Sequence, residues 1–160
     1  MSSMSDRSST TRYAETTVQK VAFAVGVVFL LVGILGFIPG VTTTFDQMTF
    51  AGDESGAMLF GVFQVSILHN IVHLLFGVVG VALARSAIAS RQFLIWGGVV
   101  YFVLWLYGLF VPQESAANFV PMNMADDWLH LVLAIAMVAL GLLLGRDMLR
   151  RDREQEGRAA

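Results

Sequence analysis

The sequence predicts an all-α fold, a four-transmembrane-helix bundle whose helices run up and down through a lipid bilayer. Of the 160 residues, 56% are hydrophobic and 14% are charged, whereas a soluble domain carries about 25% charged residues. The apolar residues gather into four long segments without a charged side chain. The Lys and Arg residues all fall on one side of the topology that these segments define. These observations predict a small integral membrane protein with the lipid bilayer as its surroundings.

The four apolar segments have lengths that suit transmembrane helices. An α-helix needs about 20 residues to cross about 30 Å of hydrocarbon. Pro39 and Pro112 end the first and third segments, because proline cannot continue a helix. The second segment is longer than a span requires, which a tilted helix would accommodate. We expect helices at about residues 21–38, 57–84, 93–111 and 128–145.

The distribution of charge predicts the orientation of these helices. The cations lie before the first helix, between the second and third, and after the fourth, whereas the other two loops carry only acidic charges. By the positive-inside rule, both termini are then cytoplasmic in a multi-pass protein. We expect a disordered cytoplasmic tail over residues 1–17, a transmembrane domain over 18–146 and a charged cytoplasmic tail over 147–160.

Composition excludes several classes of function. The chain contains no cysteine, so it has no disulfide, no thiolate metal ligand and no cysteine nucleophile. Its formal net charge is -2, and no basic patch lies among aromatic residues, which argues against a nucleic-acid partner. A chain of 160 residues leaves no room for a separate soluble catalytic domain. No residue pattern identifies a catalytic centre, so the prediction leans away from an enzyme.

The chain also contains a faint internal repeat. Residues 26–29 (GVVF) are similar to residues 98–101 (GVVY), and each stretch is followed by a glycine and then a proline. The second and fourth segments align without a gap when His69 is placed on His130, and Gly80 then falls on Gly141. This alignment predicts two parallel helical hairpins, related by an axis along the membrane normal.

Polar side chains interrupt the second and fourth segments. His69 and His73 share one face of a helix because they are four residues apart. His69 and His130 each lie 16 residues before an arginine, which places both imidazoles in the outer half of the bilayer. Polar groups at that depth are costly unless they find partners on another helix. We expect one intramembrane cluster made of Ser66, His69, Asn70, His73, Asp126, Asp127 and His130.

The first hypothesis for this cluster is structural. Asp126 or Asp127 would hold His130, while Ser66 and Asn70 would hold the histidines of the second helix. Hydrogen bonds of this kind between membrane helices contribute about 0.6 to 2 kcal/mol and fix the helix register. The protein would then be a structural or accessory membrane protein, working as a homo-oligomer or within a larger membrane complex.

Three other hypotheses use the same residues as a functional site. A divalent metal would be bound by His69, His73, His130 and Asp127, because histidines at i and i+4 with a distant histidine and a carboxylate resemble a zinc shell. A b-type haem would instead lie between His69 and His130, which are at equal depth. Under the last hypothesis, the protein is a small transporter or channel subunit in which the histidines bind and release protons or a small molecule. Histidine suits such a role because it titrates near neutral pH.

Several stretches together resemble a known family. They are residues 33–40 (GILGFIPG), 45–61, 65–77 (VSILHNIVHLLFG) and 117–131 (ANFVPMNMADDWLHL). Over about residues 18–145 the chain resembles the uncharacterised bacterial membrane family catalogued as domain of unknown function 4383. The resemblance implies a four-helix integral protein of the bacterial cytoplasmic membrane with no assigned activity. The positions that match the family motifs are His69, Asn70, His73, Asp126, Trp128 and His130.

Overall fold

The protein is mostly helical in its computed structural model, which describes the backbone of residues 13–159 and the side chains of residues 13–146. Most of the expected N-terminal tail (residues 1–17) and the side chains of the expected C-terminal tail (residues 147–160) lie outside the described residues. The predicted helical bundle is confirmed. Its helices are α1 (Thr17–Leu35), α2 (Ile67–Leu83), α3 (Ala87–Phe110) and α4 (Met124–Ala159).

Three of the helices are long and apolar enough to cross a membrane. They are α1, α3 and the part of α4 from Met124 to Arg146. Helix α2 is equally apolar but has only 17 residues, which is about the shortest length that spans the hydrocarbon layer. The helices are therefore compatible with a multi-pass membrane protein.

Helix α2 begins ten residues later than the apolar segment predicts, at Ile67 instead of about residue 57. The chain before it forms a small antiparallel sheet, with strands β1 (Thr42–Thr43), β2 (Met58–Leu59) and β3 (Phe63–Gln64) in the order β1-β2-β3. The β2–β3 turn has positive φ at Phe60 and Gly61, a conformation incompatible with a helix. Apolar composition alone could not distinguish this hairpin from the first turns of α2.

The other helix boundaries follow capping residues more closely than they follow apolar composition. Thr16 and Gln19 form a capping box that begins α1 at Thr17, and Ser86 accepts a hydrogen bond from the Ala89 N–H at the start of α3. Such side chains satisfy backbone N–H groups that have no partner within the helix. Helices α1, α3 and α4 consequently begin four to six residues before the expected apolar segments, and α4 continues well past residue 145.

The four helices pack as two pairs, α1 against α2 and α3 against α4. Glycines allow the close approach within each pair. A Cβ added at Gly26 of α1 would lie 2.7 Å from the Val81 nitrogen and 2.9 Å from the Gly77 oxygen of α2. A Cβ added at Gly98 of α3 would lie 2.9 Å from the Ala134 oxygen of α4. Small residues at such crossings are typical of membrane helix pairs.

An apolar core joins the two pairs toward one end of the bundle. It is built around buried residues from α1, α3 and α4, and the ring of Phe76 from α2 packs edge-on against Phe29 at 4.8 Å. At this end Gln19 of α1 donates a buried hydrogen bond to the Ala84 carbonyl at the end of α2. At the other end, the small sheet and the α3–α4 loop lie over the polar residues described next.

Candidate functional site

The three histidines gather between the two helix pairs. The rings of His69 and His73, one turn apart on α2, are stacked with centroids 4.5 Å apart and an interplanar angle of 20°. His130 of α4 lies 5.2 Å from the ring of Tyr101 on α3. The ring of Phe29 on α1 lies 5.4 Å from both His73 and Tyr101. Aromatic side chains from all four helices therefore meet at this level.

Two small cavities adjoin the three imidazoles. The first, of about 70 Å³, is bounded on its other sides by Asp126, by the β2–β3 hairpin and by apolar side chains of α1 and α4. The second, of about 60 Å³, is bounded by Tyr101, Leu104, Val72 and Val120. Both cavities share His69, His73 and His130. Hereafter we call these three residues, with Tyr101 and Asp126, the histidine cluster.

The hydrogen bonds of the imidazoles are incomplete. His73 Nδ1 lies 3.0 Å from the His69 carbonyl oxygen. Because a carbonyl can only accept, Nδ1 of the neutral ring carries the proton, and His73 Nε2 is left as an acceptor. The Nδ1 atoms of His69 and His130 are buried and have no hydrogen-bond partner among the described residues. Buried polar atoms of this kind are costly and require an explanation.

Asp126 is the carboxylate that faces the cluster. It is 2% exposed and borders the larger cavity. One of its oxygens, Oδ2, accepts hydrogen bonds from the backbone N–H groups of Gln64 and Asn123, each at 3.0 Å. The Asn123 side chain in turn accepts from the N–H groups of Ala125 and Asp126. Asn123 and Asp126 thus form a reciprocal cap that begins α4.

The structure places three of the predicted cluster residues elsewhere. Ser66 caps α2 by accepting a hydrogen bond from the His69 N–H at 3.1 Å. The Asn70 side chain lies against Gly36, which follows the last residue of α1, and donates to the Met48 sulfur. The Asp127 carboxylate lies against Gly108 of α3, and its buried Oδ1 has no partner among the described residues. Asp127 does not border either cavity.

Tyr101 and Pro121 are two further residues of this site that were not predicted from the sequence. Tyr101 is 3% exposed and closes one side of the smaller cavity, while the buried Pro121 presents its carbonyl to the His69 ring. The repeat aligns Tyr101 with Phe29, and in the structure both rings lie beside a histidine. Nothing in the sequence indicated that the α3–α4 loop returns over the cluster.

The described side chains do not form a metal site. No group of three or more His, Asp or Glu residues in this part of the chain is arranged to bind a metal ion. Of the expected ligands His69, His73, His130 and Asp127, the carboxylate points toward α3 and not toward the imidazoles. The cavities of about 70 and 60 Å³ also do not fit a b-type haem, because sites for cofactors of that size occupy about 300–1,000 Å³.

The fold and the cluster together define a class of protein, a small helical membrane protein with a buried polar centre. The family described as Domain of unknown function (DUF4383) matches residues 19–143, and the chain belongs to that family. Comparison with curated proteins gave no match. Comparison with solved structures also gave no match.

Proposed function

We propose that this protein is a four-span structural or accessory membrane protein in which the histidine cluster joins two helical hairpins. One observation carries the proposal. Among the helix pairs described, α2 and α4 have the least direct packing, yet His69, His73 and His130 from these two helices border the same two cavities. The imidazoles therefore fill a gap that the helix backbones leave open.

The proposed topology is an up-down bundle with both termini and the α2–α3 turn in the cytoplasm. The α2–α3 turn contains Arg85, whose side chain lies over the Tyr13 ring near the start of α1. The β-sheet region and the α3–α4 loop carry only acidic charges and would face the outer side. With this orientation the histidine cluster lies in the outer half of the bilayer, below the small sheet.

The glycine contacts support two repeated hairpins. In the alignment that places His69 on His130, Gly77 of α2 corresponds to Val138 of α4. Gly26 of α1 contacts Gly77, and Gly98 of α3 contacts Val138. The equivalent glycines of GVVF and GVVY thus meet the equivalent position of the partner helix. This agreement favours hairpins related by an axis along the membrane normal.

A structural role requires that loss of the cluster cost stability without loss of a bound group. We expect His69→Leu to lower the free energy of unfolding by about 1 to 3 kcal/mol, because the Pro121 carbonyl that faces the His69 ring would remain buried without a donor. His69→Gln keeps a donor and an acceptor and should lose less. Titration of the purified protein from mild detergent into sodium dodecyl sulfate measures both changes. Leu75→Ala, on the exposed face of α2, is the control.

The alternative class is a metal- or haem-binding membrane protein, which would require the side chains to rearrange because those described do not form a metal site. The unpaired Nδ1 atoms of His69 and His130 are the observation that favours it. Imidazole nitrogens with free lone pairs are ordinary metal ligands. Under this alternative the purified protein would contain stoichiometric metal or absorb in the visible range. His69→Gln and His69→Leu would then both remove the bound group and lower stability equally, since neither replaces an imidazole ligand.

A further inference from the structure

From the groove between α3 and α4 and the two arginines at one end of it, we infer that this helix pair binds an anionic phospholipid. One acyl chain lies in the groove, and Arg91 and Arg146 bind the phosphate of the headgroup. The inference goes beyond the proposed structural role, because it assigns a ligand to a surface distant from the histidine cluster. The proposed topology only adds that the lipid belongs to the cytoplasmic leaflet.

The α3–α4 groove has the size and the walls that suit a hydrocarbon chain. Its volume is about 450 Å³, and its lining residues are all apolar, with Gly98 and Phe102 on α3 and Ala139 and Leu142 on α4. Phe102 and Leu142 are 44% and 42% exposed, so the groove opens onto the surface of the bundle. Pockets for small molecules commonly have volumes of about 300–1,000 Å³. The groove therefore has room for part of an acyl chain and no partner for a polar group.

Small residues create the groove where the two helices cross. Gly98 contributes no side chain, and Ala134 and Ala139 contribute one carbon each. A space of this kind against a bilayer is filled by lipid, because an empty one would lose dispersion contacts along its walls. The acyl chains of different phospholipids fill it equally well. Selection among lipids therefore depends on the headgroup, and so on the residues at the ends of the groove.

Arg91 and Arg146 lie at the same end of the groove. Arg91 comes seven residues before Gly98, and Arg146 comes four residues after Leu142. These spacings place each arginine on the groove face of its own helix. Arg91 also packs across the helix pair against Gly145, where an added Cβ would clash with its Cδ atom. This contact places Arg91 beside the residue that precedes Arg146.

The charge at this end of the groove matches an anionic headgroup. Between residues 87 and 146 the acidic residues are Glu114, Asp126 and Asp127, which lie at the opposite end of the two helices. Arginine presents several N–H donors that fit phosphate oxygens. Basic sites between membrane helices on the cytoplasmic side bind anionic headgroups in this way. The ligand is therefore a phospholipid with net negative charge, of which phosphatidylglycerol is the simplest probe.

Native mass spectrometry of the full-length protein in detergent tests the headgroup site. The protein is titrated with phosphatidylglycerol and with zwitterionic phosphatidylcholine that has the same acyl chains. We expect phosphatidylglycerol to bind several-fold more tightly, and equal affinities would overturn the inference. Arg91→Gln and Arg146→Gln should each remove most of this preference. Lys20→Gln is the control, because it removes the same charge from the start of α1. An equal loss in the control would mean general attraction to cations and not a site.

The groove is tested by filling it. Ala139→Leu places a larger side chain in the groove, whereas Ala136→Leu changes an exposed position of α4 that does not line it. We expect only Ala139→Leu to weaken phosphatidylglycerol binding several-fold, and unchanged binding would overturn the inference. A lipid-free dimer that Ala139→Leu dissociates would assign the groove to a second copy of the chain instead. The comparison of the two lipids on unmodified protein does not depend on any variant folding, and its failure would leave the stability test of the histidine cluster unaffected.

Discussion

The Asp126 carboxylate accepts a hydrogen bond from the Gln64 backbone N–H at 3.0 Å, across 62 positions of the chain. The same oxygen accepts from the Asn123 N–H at the start of α4. One side chain therefore begins α4, which is long and apolar enough to cross a membrane, and attaches it to the edge of the small sheet. This contact fixes the β2–β3 hairpin above the histidine cluster, and Phe60 of this hairpin borders the larger cavity.

We expect Asp126→Ala to lower the free energy of unfolding by about 1 to 3 kcal/mol, because two partly buried backbone N–H groups would lose their acceptor. Asp126→Asn retains an acceptor oxygen and should lose less. The neighbouring Asp127→Ala is the control. It removes a buried oxygen that has no partner among the described residues, so it should leave stability unchanged or raise it. Greater destabilisation by Asp127→Ala than by Asp126→Ala would reverse the roles that we assign to the two carboxylates.

The glycine crossings predict steep sensitivity to added volume. A Cβ at Gly26 would lie 2.7 Å from a backbone nitrogen of α2, and backbone atoms cannot move aside as a flexible side chain can. Gly26→Ala should therefore separate α1 from α2 and cost about 1 to 3 kcal/mol through overpacking. Ala24→Val, at an exposed position of the same helix, should have a much smaller effect. Equal melting temperatures for the two variants would contradict the described crossing.

Gly80 and Gly141 are equivalent positions of the repeat and should respond alike. An added Cβ would lie 2.7 Å from the Phe93 ring at Gly80 and 2.7 Å from an Ile95 side-chain carbon at Gly141. We expect Gly80→Leu and Gly141→Leu each to cost about 1 to 3 kcal/mol. Thermal unfolding in detergent, followed by circular dichroism, measures both. An unchanged melting temperature for both would show that these faces do not pack inward.

Much of this fold could be predicted from the sequence, because hydropathy reports which segments avoid water. Hydropathy could not locate the start of α2, since the β2–β3 hairpin is as apolar as a helix and only the turn at Phe60 and Gly61 distinguishes it. The gathering of His69, His73 and His130 followed from helical spacing and equal depth. The positions of Asn70 and Asp127 could not be predicted in the same way, because Asn70 contacts Gly36 just after α1 and Asp127 contacts Gly108 of α3. The spacing of four between Asp126 and His130 was the signal that favoured Asp126.

The proposed topology can be tested by cysteine labelling, since the chain has no native cysteine. Ile88→Cys lies in the first turn of α3 and Glu54→Cys in the loop before the hairpin, and both positions are exposed. If the cations are cytoplasmic, a membrane-impermeant maleimide added to intact cells should label Glu54→Cys alone. Labelling of both positions after lysis confirms that each thiol can react. Labelling of Ile88→Cys in intact cells would show that the orientation is the reverse of the one proposed.

The joining of the two hairpins predicts energetic coupling between α2 and α4. We expect His69→Leu and His130→Leu to be non-additive by about 0.5 kcal/mol or more, because residues that share a cavity or a hydrogen-bond network couple by about 0.5–3 kcal/mol. His69→Leu combined with Ile135→Ala is the control pair. Ile135 is an exposed residue of α4 that borders neither cavity of the cluster. The four variants of each cycle would be unfolded in the same detergent titration. Additive costs for the histidine pair would mean that the imidazoles do not connect the hairpins, whatever each contributes within its own helix pair.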